Sequence, residues 1–203
     1  MPKVSPSHAT ARREEILDAA KSCFVRYGLR RTSMREIQRE SGLSAGALYD
    51  YFESKEAIVL GLGERMLAPP SALLAAAADA RDPLAAIQLV LERMRANLAA
   101  LRAGGGTLEV RVQFLAEATV ESPFREMAQQ FVGDITEGVA TALRAASAAG
   151  TLRADADPDV LAQALTALVQ GLVVQLAIGL DVDIERYFAT IHTLLESQRV
   201  PSP

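Results

Sequence analysis

The residues that could carry acid–base or metal chemistry in this sequence are few and far apart. The two histidines, His8 and His192, lie near opposite ends of the chain, and neither has an obvious partner for catalysis. The single cysteine, Cys23, cannot form an internal disulfide and does not suffice for a cysteine-based metal site. Three aspartates lie close together, but helix capping explains them more simply than metal binding: Asp155, Asp157 and Asp159. The sequence therefore predicts no enzyme, no metal site and no cofactor.

Polar residues that can cap helices lie where the local pattern predicts two short helices. Ser33 and Glu36 have the spacing of a capping box, which opens a helix that ends near Gly42. Ser44 can cap a second helix, over about residues 45–52. Two short helices joined by a tight turn at a glycine form a helix-turn-helix.

The apolar residues of this segment are spaced so that its two helices can pack together. Ile37, Leu43 and Leu48 are expected to face one another, while Tyr49 and Lys55 remain outside. In a helix-turn-helix the second helix enters the major groove of DNA and the first crosses the phosphate backbone. The segment therefore predicts a DNA-binding domain.

The charge distribution agrees with a protein that contacts phosphates at one end only. The net charge is −4, yet residues 1–60 hold ten Lys and Arg against eight Asp and Glu, whereas residues 61–203 hold eleven against seventeen. A mildly basic N-terminal part on an acidic remainder fits such a protein. The chain is 50% hydrophobic and 23% charged, which is typical of a globular protein. The single cysteine and the lack of a recognisable signal peptide favour a cytoplasmic location.

The fold class is predicted to be all-α. Ala and Leu dominate, long β-branched runs are missing, and no strand alternation is found. After a polar arm over residues 1–10, the first helix is expected over Ala11–Tyr27, with Gly28 as its stop. Further helices are predicted at about 55–66, 71–80, 83–102, 107–120, 124–149, 158–178 and 184–197. Their expected breaks are Pro69-Pro70, Gly104–Gly106, Gly150 and Gly179.

The segment 160–180 is apolar and about long enough to cross a bilayer. However, Gln163, Gln170 and Gln175 interrupt it, and its flanks carry aspartates in place of Lys or Arg anchors. We therefore expect a helix that is buried against other parts of the protein.

A run of about 45 residues carries a family resemblance, in order and in spacing. The run is Ile16-Leu17-Asp18-Ala19-Ala20…Phe24…Gly28…Thr32-Ser33…Arg35-Glu36-Ile37…Gly42-Leu43-Ser44…Leu48-Tyr49-Asp50-Tyr51-Phe52-Glu53-Ser54-Lys55-Glu56-Ala57. It resembles the signature of TetR-family transcriptional regulators (the TetR/AcrR type). The resemblance implies an N-terminal arm and three-helix DNA-binding domain over 1–55, with a C-terminal ligand-binding and dimerisation domain over 56–203.

The resemblance also implies roles for the residues of the helix-turn-helix. The positions matching Tyr49 and Lys55 bind phosphates, and the position matching Arg35 can reach a base edge, where arginine pairs well with guanine. The small residues at the start of the second helix allow close approach to the groove. The predicted DNA-binding set is Ser33, Arg35, Ser44, Ala45, Gly46, Ala47, Tyr49, Asp50, Tyr51 and Lys55. Four further arginines are expected to be either phosphate contacts or ordinary solvated charges: Arg12, Arg13, Arg30 and Arg31.

Apolar stripes at helical spacing on the last two helices predict a homodimer. Paired with their symmetry mates, these helices would form a four-helix bundle across a two-fold axis, and the resemblance implies the same. The predicted interface is Leu161, Leu165, Leu168, Leu172, Leu176, Phe188, Ile191 and Leu195. The alternative is that these stripes form an intrachain core.

In the family that the sequence resembles, an apolar cavity in the C-terminal body binds a small inducer. The residues expected to line it are Met66, Met94, Leu98, Phe114, Phe131 and Gln170, with Arg111 and Glu117 as polar anchors. A ligand that prefers the form with badly spaced recognition helices would lower the affinity for a palindromic operator. The alternative is a helix-turn-helix protein without a small-molecule inducer, governed by a protein partner. A copurifying ligand or an empty, well-formed apolar cavity would favour the inducer.

Overall fold

The computed structural model describes residues 6–66, 71–103, 107–120 and 122–200, and these ranges form ten α-helices. The helices are α1 (Pro6–Tyr27), α2 (Met34–Ser41), α3 (Ala45–Tyr49), α4 (Lys55–Met66), α5 (Ser71–Ala78), α6 (Pro83–Ala103), α7 (Thr107–Glu117), α8 (Ser122–Ala148), α9 (Pro158–Ala177) and α10 (Ile184–Glu196). Within these ranges, the one β-type pairing is an isolated antiparallel bridge between Leu152 and Arg199. The all-α prediction is confirmed. The predicted breaks at Pro69-Pro70 and Gly104–Gly106 lie outside the described residues.

Glycine ends the helices where the sequence predicts it. Gly28, Gly42, Gly150 and Gly179 follow α1, α2, α8 and α9, and their φ angles lie between 69° and 84°. A side chain with a Cβ atom rarely adopts this left-handed conformation, which turns the chain out of the helix.

Two helix bounds differ from the prediction. The first helix begins at Pro6 and so includes residues that were expected to form an arm. Proline suits a first helical turn because the backbone N–H that it lacks would have no partner within the helix there. The third helix ends at Tyr49, three residues early. Its C-cap, Asp50, donates its backbone N–H to the carbonyls of Gly46 and Leu48, which tightens and closes the last turn.

The chain forms two compact units. Unit 1 consists of residues 1–67 and 109–127, and unit 2 consists of residues 68–108 and 128–203. The boundary predicted after residue 55 therefore differs from the structure, which keeps α4 and most of α7 with the helix-turn-helix.

The core of unit 1 explains why α4 belongs to it. Ile16 and Phe24 of α1 and Ile58 of α4 are completely buried. Further along α4, a Cβ atom added to Gly63 would lie 2.8 Å from the ring of Phe114, so only glycine leaves room for α7 at this crossing.

In unit 2 the apolar stripes of α9 and α10 point into the protein. Six of the eight residues predicted to form a dimer interface are buried inside the single chain: Leu165, Leu172, Leu176, Phe188, Ile191 and Leu195. Leu161 is half-buried, and Leu168 is exposed. The prediction was wrong for these six because helical spacing identifies an apolar face without showing what covers it. The intrachain core, which was the alternative, accounts for them.

By length and composition alone, α9 is long and apolar enough to cross a membrane, and it is the one such helix in the described part of the chain. Of its apolar stretch, 39% is buried inside the protein. Leu172 is completely covered and Val173 almost so, as in a helix that packs against other helices.

Candidate nucleic-acid interface

Hydrogen bonds within a few residues set the start of α2. The hydroxyl of Ser33 accepts from the backbone N–H of Glu36, while the backbone N–H of Ser33 donates to the Glu36 carboxylate at 2.6 Å. The capping box predicted from the sequence is therefore confirmed. The backbone N–H of Ser33, and then its hydroxyl, lower the pKa of the Glu36 carboxyl by stabilising its charged form.

Nearby residues also set the turn and the start of the second helix. Gly42 ends α2 with a φ of 69°, and the hydroxyl of Ser44 accepts from the backbone N–H of Ala47 at 3.2 Å to begin α3. On the inner side, Ile37, Leu48 and Phe52 are all at least 98% buried. The helix-turn-helix is thus anchored to unit 1 by one face of α2 and α3.

The opposite face carries most of the residues predicted to contact DNA. Arg35 on α2, Ala45 and Gly46 at the start of α3, and Asp50 at its end are exposed. Tyr49 is 54% exposed, so its side chain is available to an external partner. Together these residues provide a cation, a phenol hydroxyl and a stretch of small side chains, which suits phosphate contacts and close approach to base edges.

The other predicted DNA contacts are less accessible. Ala47 and Tyr51 are half-buried. Lys55, at the start of α4, directs its Nζ to the backbone carbonyls of Leu29 and Arg30, at 3.2 and 3.4 Å. An ammonium group has three N–H donors, so these two bonds leave one for an external acceptor. Lys55 therefore also holds the loop between α1 and α2.

Two of the arginines of α1, Arg12 and Arg13, have partners inside unit 1. The guanidinium of Arg13 lies 4.2 Å from the centre of the Phe52 ring and donates to the carbonyl of Tyr51. Arg12 pairs with Glu15 on the same helix. Both residues lie inside α1, within the part of the helix that the sequence predicts.

Sequence reasoning missed the contacts by which α7 holds the loop between α1 and α2. The side-chain oxygen of Gln113 accepts from the backbone N–H of Leu29 at 2.8 Å. Glu117 pairs with Arg30, with 2.7 Å between Nε and Oε1. No local signal could have indicated these pairs, because more than 80 residues separate the partners.

The predicted ligand-binding residues do not form one group. Met66, Arg111 and Phe114 line a small apolar cavity in unit 1, together with Gly63 and other residues of α1, α4 and α7. The cavity encloses about 10 Å³, room for about one water molecule. Burial lowers the pKa of the Arg111 guanidinium at its edge. Glu117 lies elsewhere in unit 1, against Arg30. The remaining four belong to unit 2: Met94, Leu98, Phe131 and Gln170.

Comparison with known proteins covers both parts of the chain. Residues 16–62 match the family model described as bacterial regulatory proteins, tetR family. Residues 86–200, more than half of the chain, match the model described as BetI-type transcriptional repressor, C-terminal. This chain belongs to the TetR family. The match over residues 16–62 includes all of α2, α3 and the exposed residues described above.

Similar proteins extend the family assignment over nearly the whole chain. The HTH-type transcriptional repressor Rv1474c of Mycobacterium tuberculosis is 30% identical over 185 residues, which cover 89% of this chain and 90% of its own. The repressor AcnR of Corynebacterium diphtheriae is 26% identical over 98% of this chain and 99% of its own. SmeT, the repressor of the Stenotrophomonas maltophilia multidrug efflux pump SmeDEF, superposes with a TM-score of 0.74 at 26% identity, covering 93% of this chain and 90% of SmeT. A SmeT–triclosan complex gives a TM-score of 0.77.

These similarities establish the biochemical class of this TetR-family chain. It is a DNA-binding transcriptional repressor and not an enzyme. The described residues contain no group of three or more His, Cys, Asp or Glu that could hold a metal ion.

Proposed function

We propose that this TetR-family repressor acts in the cytoplasm, binds a palindromic operator as a homodimer, and is released from it by a small, largely apolar ligand. The observation that carries the proposal is the exposed face of α2 and α3. Arg35 and Tyr49 lie on that face, opposite Ile37 and Leu48, which are buried. A helix-turn-helix that is buried on one face and exposed on the other can place α3 in a major groove while α2 crosses the DNA backbone.

The DNA contacts divide into two kinds. Arg35 reads a base edge, because a guanidinium can donate two parallel hydrogen bonds to guanine. Tyr49 and the third N–H of Lys55 bind phosphates and set the register of the protein on the duplex. The small side chains of Ala45 and Gly46 let the backbone of α3 approach the groove closely.

The outer faces of α9 and α10 form the proposed dimer interface. The large apolar residues exposed on or beside these helices are Val160, Leu168, Val174, Ile178, Leu180 and Leu194. Of the residues originally predicted for the interface, Leu168 is the one that remains exposed, with Leu161 half-buried beside this set. Burial against a second copy of the chain would remove these exposed apolar side chains from water. A two-fold dimer would also present two recognition helices to the two halves of a palindrome.

Two observations bear on the ligand. The structure of SmeT with triclosan is that of a similar repressor with a small, largely apolar molecule. In this chain the apolar cavity at Met66 and Phe114 has room for about one water molecule, so a ligand at this place would have to open it. Such a ligand would favour the opened form and thereby change operator affinity by the difference in its own affinities.

The test is selection of duplexes from a random library at one fixed, near-physiological salt concentration, because binding to phosphates depends steeply on salt. We expect a palindromic sequence to be enriched. On that sequence Arg35→Ala should weaken binding by about 1–3 kcal/mol and relax the preference at one base pair of each half-site. Tyr49→Phe should weaken binding by about 1 kcal/mol without changing the preference.

Arg93→Ala is the matched control, since Arg93 is an exposed arginine on α6 in unit 2. It should bind the selected duplex as the unmodified protein does. If no sequence is enriched over non-specific binding, or if Arg93→Ala weakens binding as much as Arg35→Ala, the proposed role of the exposed face is wrong.

A further inference from the structure

Beside the helix-turn-helix, unit 1 has an open cleft with a volume of about 490 Å³. It lies between the loop that follows α1, the first turns of α4, and three residues at or just after the end of α7 and in the first turn of α8: Glu117, Val120 and Phe124. The volume falls within the range of small-molecule sites, roughly 300–1,000 Å³. It is far larger than the enclosed cavity at Met66 and Phe114.

The floor of the cleft is apolar. Leu29, Val59 and Phe124 line it, and each is at least 94% buried, so the floor belongs to the packed core of unit 1. At the edge lies Val120, which is 61% exposed. Because this exposed valine continues a buried apolar surface, an apolar ligand that covers it would remove apolar surface from water, which favours binding.

The described lining of the cleft holds two cations and two carboxylates, which differ in their pairing and exposure. Arg30 is paired with Glu117 at 2.7 Å, which leaves little net charge there. Lys55 is half-buried, its Nζ bonds are to the carbonyls of Leu29 and Arg30, and it makes no ion pair with any of the described residues. Among the described residues of the lining, the other carboxylate, that of Glu56, is exposed to solvent. The cleft thus presents one ammonium group, with a spare N–H, next to an apolar floor.

We propose that this cleft binds a small organic anion with an apolar body, such as a medium-chain monocarboxylate. The carboxylate accepts a charge-assisted hydrogen bond from Lys55, and the hydrocarbon covers Val120 and Phe124. This site is separate from the enclosed cavity.

Binding at this site has a consequence for DNA, which rests on the proposed role of Lys55 as a phosphate contact. The same N–H cannot serve a bound carboxylate and a phosphate at once. The anion and the duplex therefore compete, and each lowers the affinity for the other by the same factor.

The site is tested first on the DNA-free protein by isothermal titration calorimetry, with octanoate as the probe. Octanol supplies the apolar body without the charge, acetate the charge without the body, and octylammonium the opposite charge. Octanoate should bind at least roughly tenfold more tightly than any of the three, as expected when a hydrogen bond to a charged group and apolar burial act together. Equal affinity for octanoate and octanol overturns the proposal.

Two variants locate the binding. Val120→Asn should weaken octanoate binding by roughly tenfold, the loss expected when an apolar side chain under the ligand becomes polar. Leu89→Asn is the control, because Leu89 is an equally exposed aliphatic residue on α6 in unit 2, and it should bind octanoate unchanged. Lys55→Gln should reduce the affinity for octanoate to that for octanol. Octanoate binding that is unaffected by Val120→Asn places the ligand elsewhere and overturns the proposal.

Competition is then measured on the duplex selected as described above. Octanoate should raise the apparent Kd of the unmodified protein for the duplex. It should have little effect on Val120→Asn, whose duplex binding without octanoate should equal that of the unmodified protein. Octanoate binding that leaves duplex affinity unchanged overturns the competition for Lys55. Failure to enrich any duplex in the absence of octanoate instead overturns the proposed operator binding, and the calorimetric result stands apart from it.

Discussion

Ser33 and Ser44 hold the starts of α2 and α3 through hydrogen bonds to backbone N–H groups three residues ahead. The hydroxyl of Ser33 also donates to the Glu36 carboxylate at 2.9 Å. Both serines were predicted as DNA contacts, and their positions beside the exposed face are compatible with that role. Their bonds in the free protein are nevertheless to the helices they begin, so their first effect is on helix geometry.

Ser33→Ala should therefore destabilise the protein by about 1 kcal/mol, because α2 loses a capping hydrogen bond. The free energy of unfolding is measured with urea and followed by circular dichroism. Ser22→Ala is the control: Ser22 is exposed inside α1, and its hydroxyl donates only to the carbonyl of Asp18. That variant should change stability by less than about 0.5 kcal/mol. Equal losses in both variants would show that the capping box contributes nothing particular.

Among single residues, Lys55 departs most from its expected environment. The resemblance predicted a phosphate contact, and the structure adds two bonds to the loop after α1. Arg13 shows a similar difference, because Phe52 and Tyr51 provide it with internal partners. In both cases the residue type suggested an exposed cation, and packing between distant segments supplied partners that spacing does not reveal.

At the scale of helices, α7 is connected to the DNA-binding segment more closely than the sequence suggested. Gln113 and Glu117 lie one turn apart on α7 and bind two successive residues of the loop, Leu29 and Arg30. Lys55 at the start of α4 binds the carbonyls of the same two residues. The loop that leads into the helix-turn-helix is therefore held by two other helices of unit 1.

Close helix crossings depend on glycine, and α8 offers a matched pair for testing this. A Cβ atom added to Gly138 would lie 2.9 Å from the Cβ of Leu74 on α5, whereas one added to Gly133 meets nothing within 4 Å. Gly133→Ala should stabilise the protein by up to about 1 kcal/mol, the usual gain for alanine in a helix. Gly138→Ala gains the same propensity but should be destabilised overall by about 1 kcal/mol, since overpacking costs about 1–3 kcal/mol.

Urea unfolding of the two glycine variants, measured in parallel, gives the difference directly. The backbone effect is common to both and cancels. If both variants are stabilised equally, α5 and α8 can separate without cost, and the close approach at Gly138 is not needed.

At the scale of the whole molecule, neither compact unit is a continuous stretch of chain. Unit 1 takes residues 109–127 in addition to the N-terminal 67, and unit 2 takes what lies before and after that insertion. The predicted division at residue 55 assumed that a domain follows the chain in one piece. The local pattern marks where helices begin and end, but the packing of α7 decides which unit they join.

The proposed dimer makes a prediction at the same scale. Val174 is exposed on α9, where a carboxylate would be buried without a partner at the proposed interface. Val174→Asp should weaken the dimer by roughly a hundredfold or more, because such a charge costs several kcal/mol. The measurement is sedimentation equilibrium over a range of protein concentrations.

Leu89→Asp is the control for the dimer, since Leu89 is exposed on α6 and lies outside the proposed interface. It should leave the association unchanged. A monomeric unmodified protein, or equal dissociation of both variants, would show that α9 and α10 do not form the interface.

Features that depend on hydrogen bonds and sterics within one or two turns follow from the amino-acid sequence alone. These include the capping box at Ser33, the stop at Gly42, the buried face of Ile37 and Leu48, and the family signature built on them. Which distant surfaces meet depends instead on tertiary packing. Packing buries Leu165, Leu172 and Leu176 of α9 inside the chain. It also brings Arg30 to Glu117 and leaves the cleft beside Lys55. The physical reason is that periodicity defines an apolar face or an available charge, whereas its partner depends on the packing of segments that are far apart in the chain.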